Sequence, residues 1–266
     1  MLIVGERINT SRKQIAPAVA NLDAAAVQEE AKKQVEAGAN IVDVNCGTLV
    51  DREAEVMEWL VQTVQEAVDV PLCIDTPNPK ALEAGLKVHR GKALVNSITA
   101  EAGRYDAMVP LVKEYGAGIV VLCISDKGMP RTVDDRLQVV DQLVERLIQD
   151  GIPLEDIYVD PLIQPLATEP ENGRIALETV SRVMTGYPGI HTICGLSNIS
   201  FGLPYRRLLN QSFLCMLLAA GLDAAILDPL DQVLMSFLRA SRVITGADPY
   251  SMDYIKAYRE GKLVKT

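Results

Sequence analysis

The sequence predicts an α/β protein, a single (β/α)8 TIM barrel spanning residues 1–266. Eight short apolar or β-branched runs each end in a polar residue, and helical stretches with apolar spacing near 3.6 alternate with them. The chain length of 266 residues is close to the roughly 250 that such a barrel needs. An open doubly wound sheet is the alternative. No GxGxxG follows the first run, which weakens its dinucleotide-binding form.

In chain order the runs are LIVGERIN (2–9), NIVDVN (40–45), PLCIDTPN (71–78), ALVNSIT (93–99), GIVVLCIS (118–125), IYVDPLI (157–163), HTICGLSN (191–198) and AAILDPL (224–230). Their β-branched content and their length of six to eight residues read as parallel strands. DAAAVQEEAKKQVEAGA and RLQVVDQLVERLIQDG are two of the amphipathic helices between them. Thr132 three residues before Asp135 predicts a capping box, and Gly38, Gly116, Gly151 and Gly221 follow helical stretches as C-caps.

The formal net charge is −9 with no basic stripe, which argues against nucleic acid or an anionic lipid surface as partner. No run is long enough to span a membrane, and MLIVGERIN has neither a basic leader nor a small-residue cleavage site. Five cysteines, at 46, 73, 123, 194 and 215, are an odd number in mostly apolar surroundings, so a disulfide framework is not expected. These features predict a cytoplasmic protein whose ligand is a small molecule or another protein.

A (β/α)8 barrel carries its active site at the C-terminal ends of its strands, which makes the residue closing each run the informative one. Those residues are Glu6 and Asn9, Asp43 and Asn45, Asp75, Asn96, Ser125, Asp160, Asn198 and Asp228. Any one of them has an ordinary explanation as a helix cap or turn former. Together they bring carboxylates and amides to one mouth without Lys or His. A pterin presents an N3–H beside a 2-amino group, which an ionised Asp accepts in a bidentate manner while Asn pairs with the mixed edges. Phosphate recognition is disfavoured, because no Gly-rich loop carries a Lys.

GERIN, DVNCGT, CIDTPN, NSITAE, YVDPL and GLSNIS, in that order, resemble the methyltetrahydrofolate:corrinoid protein methyltransferases. That family belongs to a pterin-binding barrel group with the folate domain of methionine synthase and dihydropteroate synthase. The resemblance implies transfer of a methyl group between N5 of tetrahydrofolate and the cobalt of a corrinoid, cobalamin, in either direction. It implies that Asp75, Asn96 and Asp160 bind the pterin and that Asn198 hydrogen-bonds N5 as the catalytic residue. Gly195, Ser197 and Arg206 fall where the family lines the same pocket, with Glu6, Asp43 and Asn45 at neighbouring strand ends. No DxHxxG motif is present, so the corrinoid is expected on a partner protein, with 5-methyltetrahydrofolate or tetrahydrofolate as the small-molecule substrate. Members that work in acetyl-CoA synthesis carry an amide three residues after Asn198, where this chain has Phe201.

Zinc-assisted transfer is the rival chemistry, and the spacing does not favour it. The chain has no CxxC, and His89 and His191 precede or begin strands instead of ending them, so no metal site is expected. A dihydropteroate synthase-like enzyme would need a Ser-Arg-Pro loop after the second strand, where the chain reads NCGTLVDREAEVMEWL. A non-catalytic folate-binding protein would share the pocket. RRLLNQSFLCMLLAAGLDAAIL (206–227) is more apolar than one packed helix requires, which predicts a homodimer contact beside strands seven and eight.

Overall fold

All eight predicted runs contain strands, and each strand stops at or before the end of its run. The computed structural model describes residues 1–264. The strands are β1 (Leu2–Asn9), β2 (Ile41–Asn45), β3 (Leu72–Asp75), β4 (Leu94–Ile98), β5 (Gly118–Leu122), β6 (Ile157–Asp160), β7 (His191–Thr192) and β8 (Ala224–Leu227). All pair in parallel, in the order β7-β6-β5-β4-β3-β2-β1-β8. The ring closes through a bridge between Gly195 and Ile226, where the Ile226 N–H donates to the Cys194 carbonyl at 2.9 Å.

Helices surround this ring. They are α1 (Ala16–Ala20), α2 (Ala24–Glu36), α3 (Glu53–Gln65), α4 (Pro79–Val88), α5 (Ala102–Tyr115), α6 (Val133–Gln149), α7 (Asn172–Gly186), α8 (Arg206–Ala219), α9 (Gln232–Ile244) and α10 (Met252–Arg259). Thr132 and Asp135 form the predicted capping box at the start of α6. The four predicted C-cap glycines all have positive φ, between 60° at Gly116 and 109° at Gly38. Among the described residues no helix is long and apolar enough to cross a membrane.

The strand period of two explains why the polar residues gather. Val4, Ile41, Cys73, Leu94, Val120, Ile193, Ala224 and Ile226 pack together with Tyr158 as one cluster inside the barrel. Glu6, Asp43, Asp75, Asn96, Asp160 and Asp228 each lie two residues beyond a member of that cluster, so they face the same interior one layer higher. The other face of each strand is apolar too, and packs under the helices.

Two irregularities set this upper layer. In β1 the register moves from Gly5 opposite Val42 to Ile8 opposite Val44, an extra residue that turns Asn9 inward and leaves Ile8 against the helices. Gln34 Oε1 accepts the Arg7 N–H freed there, at 3.0 Å. A Cβ on Gly5 would stand 2.5 Å from that oxygen, so residue 5 must be glycine for the bulge to be held this way. In β4 the register likewise shifts between Asn96 and Ile98. Asn96 therefore faces inward beside Asp75, its partner in register.

Candidate functional site

Six of the ten predicted site residues converge on the barrel interior from the ends of five strands: Glu6, Asp43, Asn45, Asp75, Asn96 and Asp160. Asp43 is deepest, 2 % exposed, with one oxygen that has no hydrogen-bond partner. Burial, and then repulsion from Asp75, push its carboxyl well above the ordinary range, so its charged form is disfavoured. Above it the Asn45 amide donates to Asp75 at 2.9 Å, while the Gly47 N–H at 3.0 Å fixes the other end of that amide. Burial raises the Asp75 pKa, opposed by this Asn45 bond and by the charge of Arg104.

Thr76 and Asn78, from the CIDTPN run, face away from the mouth and brace it. Thr76 Oγ1 donates to Glu53 at 2.5 Å and Asn78 Nδ2 donates to it at 2.9 Å, which anchors the β3 loop on the start of α3. Arg104 at the start of α5 reaches back with two N–H groups to the Ser97 carbonyl, at 3.1 and 2.9 Å. Glu53 and Arg104 were not legible as site residues, because neither closes a strand.

Asp160 is held on the far side of the mouth. Burial pushes its pKa up to about 7, against the opposing pull of the Leu162 N–H, the Gly195 N–H and the charge of Arg136. The Leu162 bond measures 2.8 Å. A carboxyl whose folded pKa lies above its unfolded value of about 3.9 stabilises the fold at low pH and loses that contribution as pH rises through 7. Asp160→Asn should therefore be more stable than the parent at pH 8, by about 2 kcal/mol for this half-buried group, with little difference at pH 4. Thermal melts at the two pH values check this, and equal gains at both would contradict it.

The seventh strand differs most from its predicted extent. Only His191–Thr192 pair as strand; Ile193–Gly195 complete the barrel wall, and Leu196–Ser200 form a 3₁₀ turn. Asn198 thus stands on that turn and not at a strand end. Its side chain is exposed and bonds no other side chain or backbone group among the described residues. The Gly195 N–H faces Asp160 and opposes the rise of its pKa. Ser197 contributes its carbonyl, which accepts from Arg206 Nη2 at 2.7 Å, while Arg206 Nε donates to Ser200 Oγ at 3.0 Å. Arg206 is accordingly a brace for the Asn198 turn, with its guanidinium 5.8 Å from the centre of the Phe201 ring.

Beside this turn, Glu6 and Ser197 line a cleft of about 290 Å³ with Arg12, Arg207, Asn210 and Asp228. Asp75, Asn96 and Asp160 lie outside this cleft. Asp228 accepts from Arg7 at 2.8 Å and from Arg12 at 3.0 Å, and Arg12 also donates to Glu6 at 3.0 Å. Arg7 also pairs with Glu30. The mouth is therefore not uniformly acidic. Burial still raises the Glu6 pKa, with Arg12 opposing it.

Cys46, Cys73, Cys123 and Cys194 are buried and unpaired, and burial pushes the Cys46 thiol up to about 12. His89 Nε2 accepts the Leu72 N–H at 3.1 Å, and His191 Nδ1 lies 2.5 Å from Asp223, both at the opposite end of the barrel from the carboxylates. Among the described residues no three His, Cys, Asp or Glu side chains are close enough to hold a metal ion.

A family model described as pterin binding enzyme matches residues 5–228. The chain is 34% identical to a methylcorrinoid:tetrahydrofolate methyltransferase of Eubacterium limosum, over 99% of this chain and 98% of that one. It is 31% identical to methionine synthase of Mycobacterium tuberculosis (strain ATCC 25618 / H37Rv), covering 85% of this chain but 20% of that one. Among solved structures, dihydropteroate synthase of Xanthomonas albilineans superposes with a TM-score of 0.69 at 18% identity, over 93% of each chain. The enzyme of the same name from Thermus thermophilus gives 0.67 at 20% identity, over 92% of each. These last two likenesses concern the fold.

Proposed function

This chain belongs to the pterin-binding enzyme family, and we propose that within it the protein is a methyltransferase acting between N5 of tetrahydrofolate and the cobalt of a corrinoid carried by a partner protein. The observation that carries this reading is end-to-end similarity to a relative named for that reaction, over 98% of the relative's length. The direction we assign is that of the relative's name, from methylcorrinoid to tetrahydrofolate. One site lowers the same barrier both ways, so an assay in both directions, followed by cobalamin absorbance, is the test. No turnover in either direction would refute the reading.

In this assignment Asp75, Asn96 and Asp160 take the polar edge of the pterin over the barrel axis, with Asn45 orienting Asp75. Asp43 lies beneath them, where burial and repulsion from Asp75 disfavour its charged form. The corrinoid cobalt supplies or accepts the methyl group when its carrier is docked. As the N5–methyl bond breaks or forms, N5 carries positive charge, and Asn198 accepts a hydrogen bond from its proton through the amide oxygen. Assistance of this kind contributes roughly 10²–10⁴-fold in rate.

An open, partly apolar rim supports a macromolecular carrier. Val50, Met129, Phe201 and Tyr205 are all exposed on the loops that follow β2, β5 and β7, the same end of the barrel as the carboxylates. Phe201 is 65 % exposed, on the turn that carries Asn198. An apolar rim of this kind is what a large, flat macrocycle covers.

We assign the chain one catalytic domain, a cytoplasmic setting and no metal of its own. Activity is expected to survive exhaustive chelation, with no stoichiometric zinc found by elemental analysis of active protein. Loss of activity restored by zinc would overturn that expectation. Leu208, Met216, Phe237 and Ile244 are exposed on the outer helices α8 and α9, which supports a homodimer through that face. Light scattering at micromolar concentration should give twice the mass of the 266-residue chain, and a monomer would contradict this assignment.

A further inference from the structure

Arg136, in the first turns of α6, is 1 % exposed and forms no ion pair among the described residues. Its guanidinium spends its donors on backbone instead. Nε donates to the Pro161 carbonyl at 2.7 Å, Nη1 to the Thr132 carbonyl at 3.1 Å and Nη2 to the Leu162 carbonyl at 3.4 Å. Burying a guanidinium without a carboxylate is costly, and an apolar side chain of similar volume would pack the same space without that cost. Packing alone therefore does not account for arginine here.

What the three bonds do is hold a turn. Leu162 has φ of 60°, a left-handed conformation that L residues with a side chain avoid. In that conformation its N–H points back at Asp160 Oδ1, 2.8 Å away, while its carbonyl faces Arg136. The fork thus grips the two carbonyls that follow Asp160 and fixes the peptide whose N–H orients the Asp160 carboxylate.

We propose that Arg136 is a positioning residue for Asp160: from beneath the β6 loop it holds the Pro161–Leu162 turn in the conformation that aims the Asp160 carboxylate into the barrel mouth. The pterin-binding part of this role rests on the function proposed above; the effect on Asp160 itself does not. Arg136 also acts through its charge. The groups around Asp160 are Arg136 from α6, the Cys123 thiol just after β5, the Cys194 thiol just after β7 and the N–H groups of Leu162 and Gly195. Arg136 is the one cation among them, and it favours the ionised carboxylate.

The experiment begins without ligand. Carbon-13 NMR of the Asp160 carboxyl, titrated in parent, Arg136→Met and Arg136→Lys, should show the Met variant's midpoint higher by about one pH unit or more and the Lys variant's close to the parent's. Calorimetry with tetrahydrofolate at pH 7 should then show affinity reduced about ten-fold in Arg136→Met, partly from that shift and partly from the misaimed carboxylate. Adding Leu162→Gly to the Met variant should recover part of the affinity, because glycine adopts positive φ unaided. If Arg136→Met does not fold, Arg136→Lys decides: it keeps the charge but loses the fork, so its midpoint should stay and its affinity should fall. A folded Arg136→Met with the parent's midpoint, or an Arg136→Lys with the parent's affinity, would overturn the proposal. A parent protein that does not bind tetrahydrofolate would instead count against the proposed function, leaving the titration to judge Arg136.

Discussion

Asn198→Ala is expected to lower kcat by about 10²-fold or more while changing tetrahydrofolate affinity little. In the proposed mechanism the hydrogen bond from N5 to the Asn198 oxygen strengthens only as N5 gains charge along the reaction, so its removal costs transition-state and not ground-state binding. The structure separates this from a folding effect. The Asn198 amide is exposed and bonds no other protein group among the described residues, while the turn it stands on is held by backbone bonds and by Arg206. Truncation should therefore leave the melting temperature nearly unchanged. Steady-state kinetics at saturating folate, beside a thermal melt, tests both halves. A variant with the parent's kcat and a lowered melting temperature would assign Asn198 to the turn alone.

Arg206→Ala offers a contrast on the same segment. Its two bonds brace Ser197 and Ser200, so its loss acts on Asn198 through the turn. The family resemblance implied a pocket-lining role for this residue; α8 begins at Arg206, and its guanidinium folds back over the turn that carries Asn198.

The barrel was legible because each strand is buried on both faces and therefore reads as an unbroken apolar run. Where such a run ended was harder to see. HTICGLSN continues as apolar residues past Thr192, yet the ladder stops there, since Ile193 to Gly195 close the barrel by one bridge before the chain turns. Periodicity records burial, and a wall residue is as buried as a strand residue. The inward polar layer was legible for the same reason: Asp43, Asp75, Asn96 and Asp160 are two residues beyond apolar interior positions. The supporting cations were not. Arg7 is aimed by a bulge, Arg12 comes from a loop, and Arg104 and Arg136 reach in from helices, so nothing in their local sequence marks them.

Asp75→Ala is expected to weaken tetrahydrofolate binding by about 1.5–3 kcal/mol, roughly 10- to 100-fold, for each charge-assisted hydrogen bond lost. Asp160→Ala should do the same from the other side of the mouth. The carboxylate of Asp75 is aimed by the Asn45 amide at 2.9 Å, and its ionised form is favoured by that bond and by Arg104. Burial works the other way and dominates, so in the free protein this carboxyl is harder to ionise than one in water. Two consequences separate a binding role from a structural one. Removing a carboxyl whose charged form is disfavoured should raise the stability of the folded protein at pH 8, so weaker binding should accompany an unchanged or higher melting temperature. Asp75→Asn keeps the shape but replaces one acceptor with a donor facing the pterin N3–H and 2-amino group, so it should bind no better than the Ala variant. Calorimetry with tetrahydrofolate and melts of the same samples measure both, and parent-like affinity in Asp75→Asn and Asp160→Ala would remove these carboxylates from the folate site.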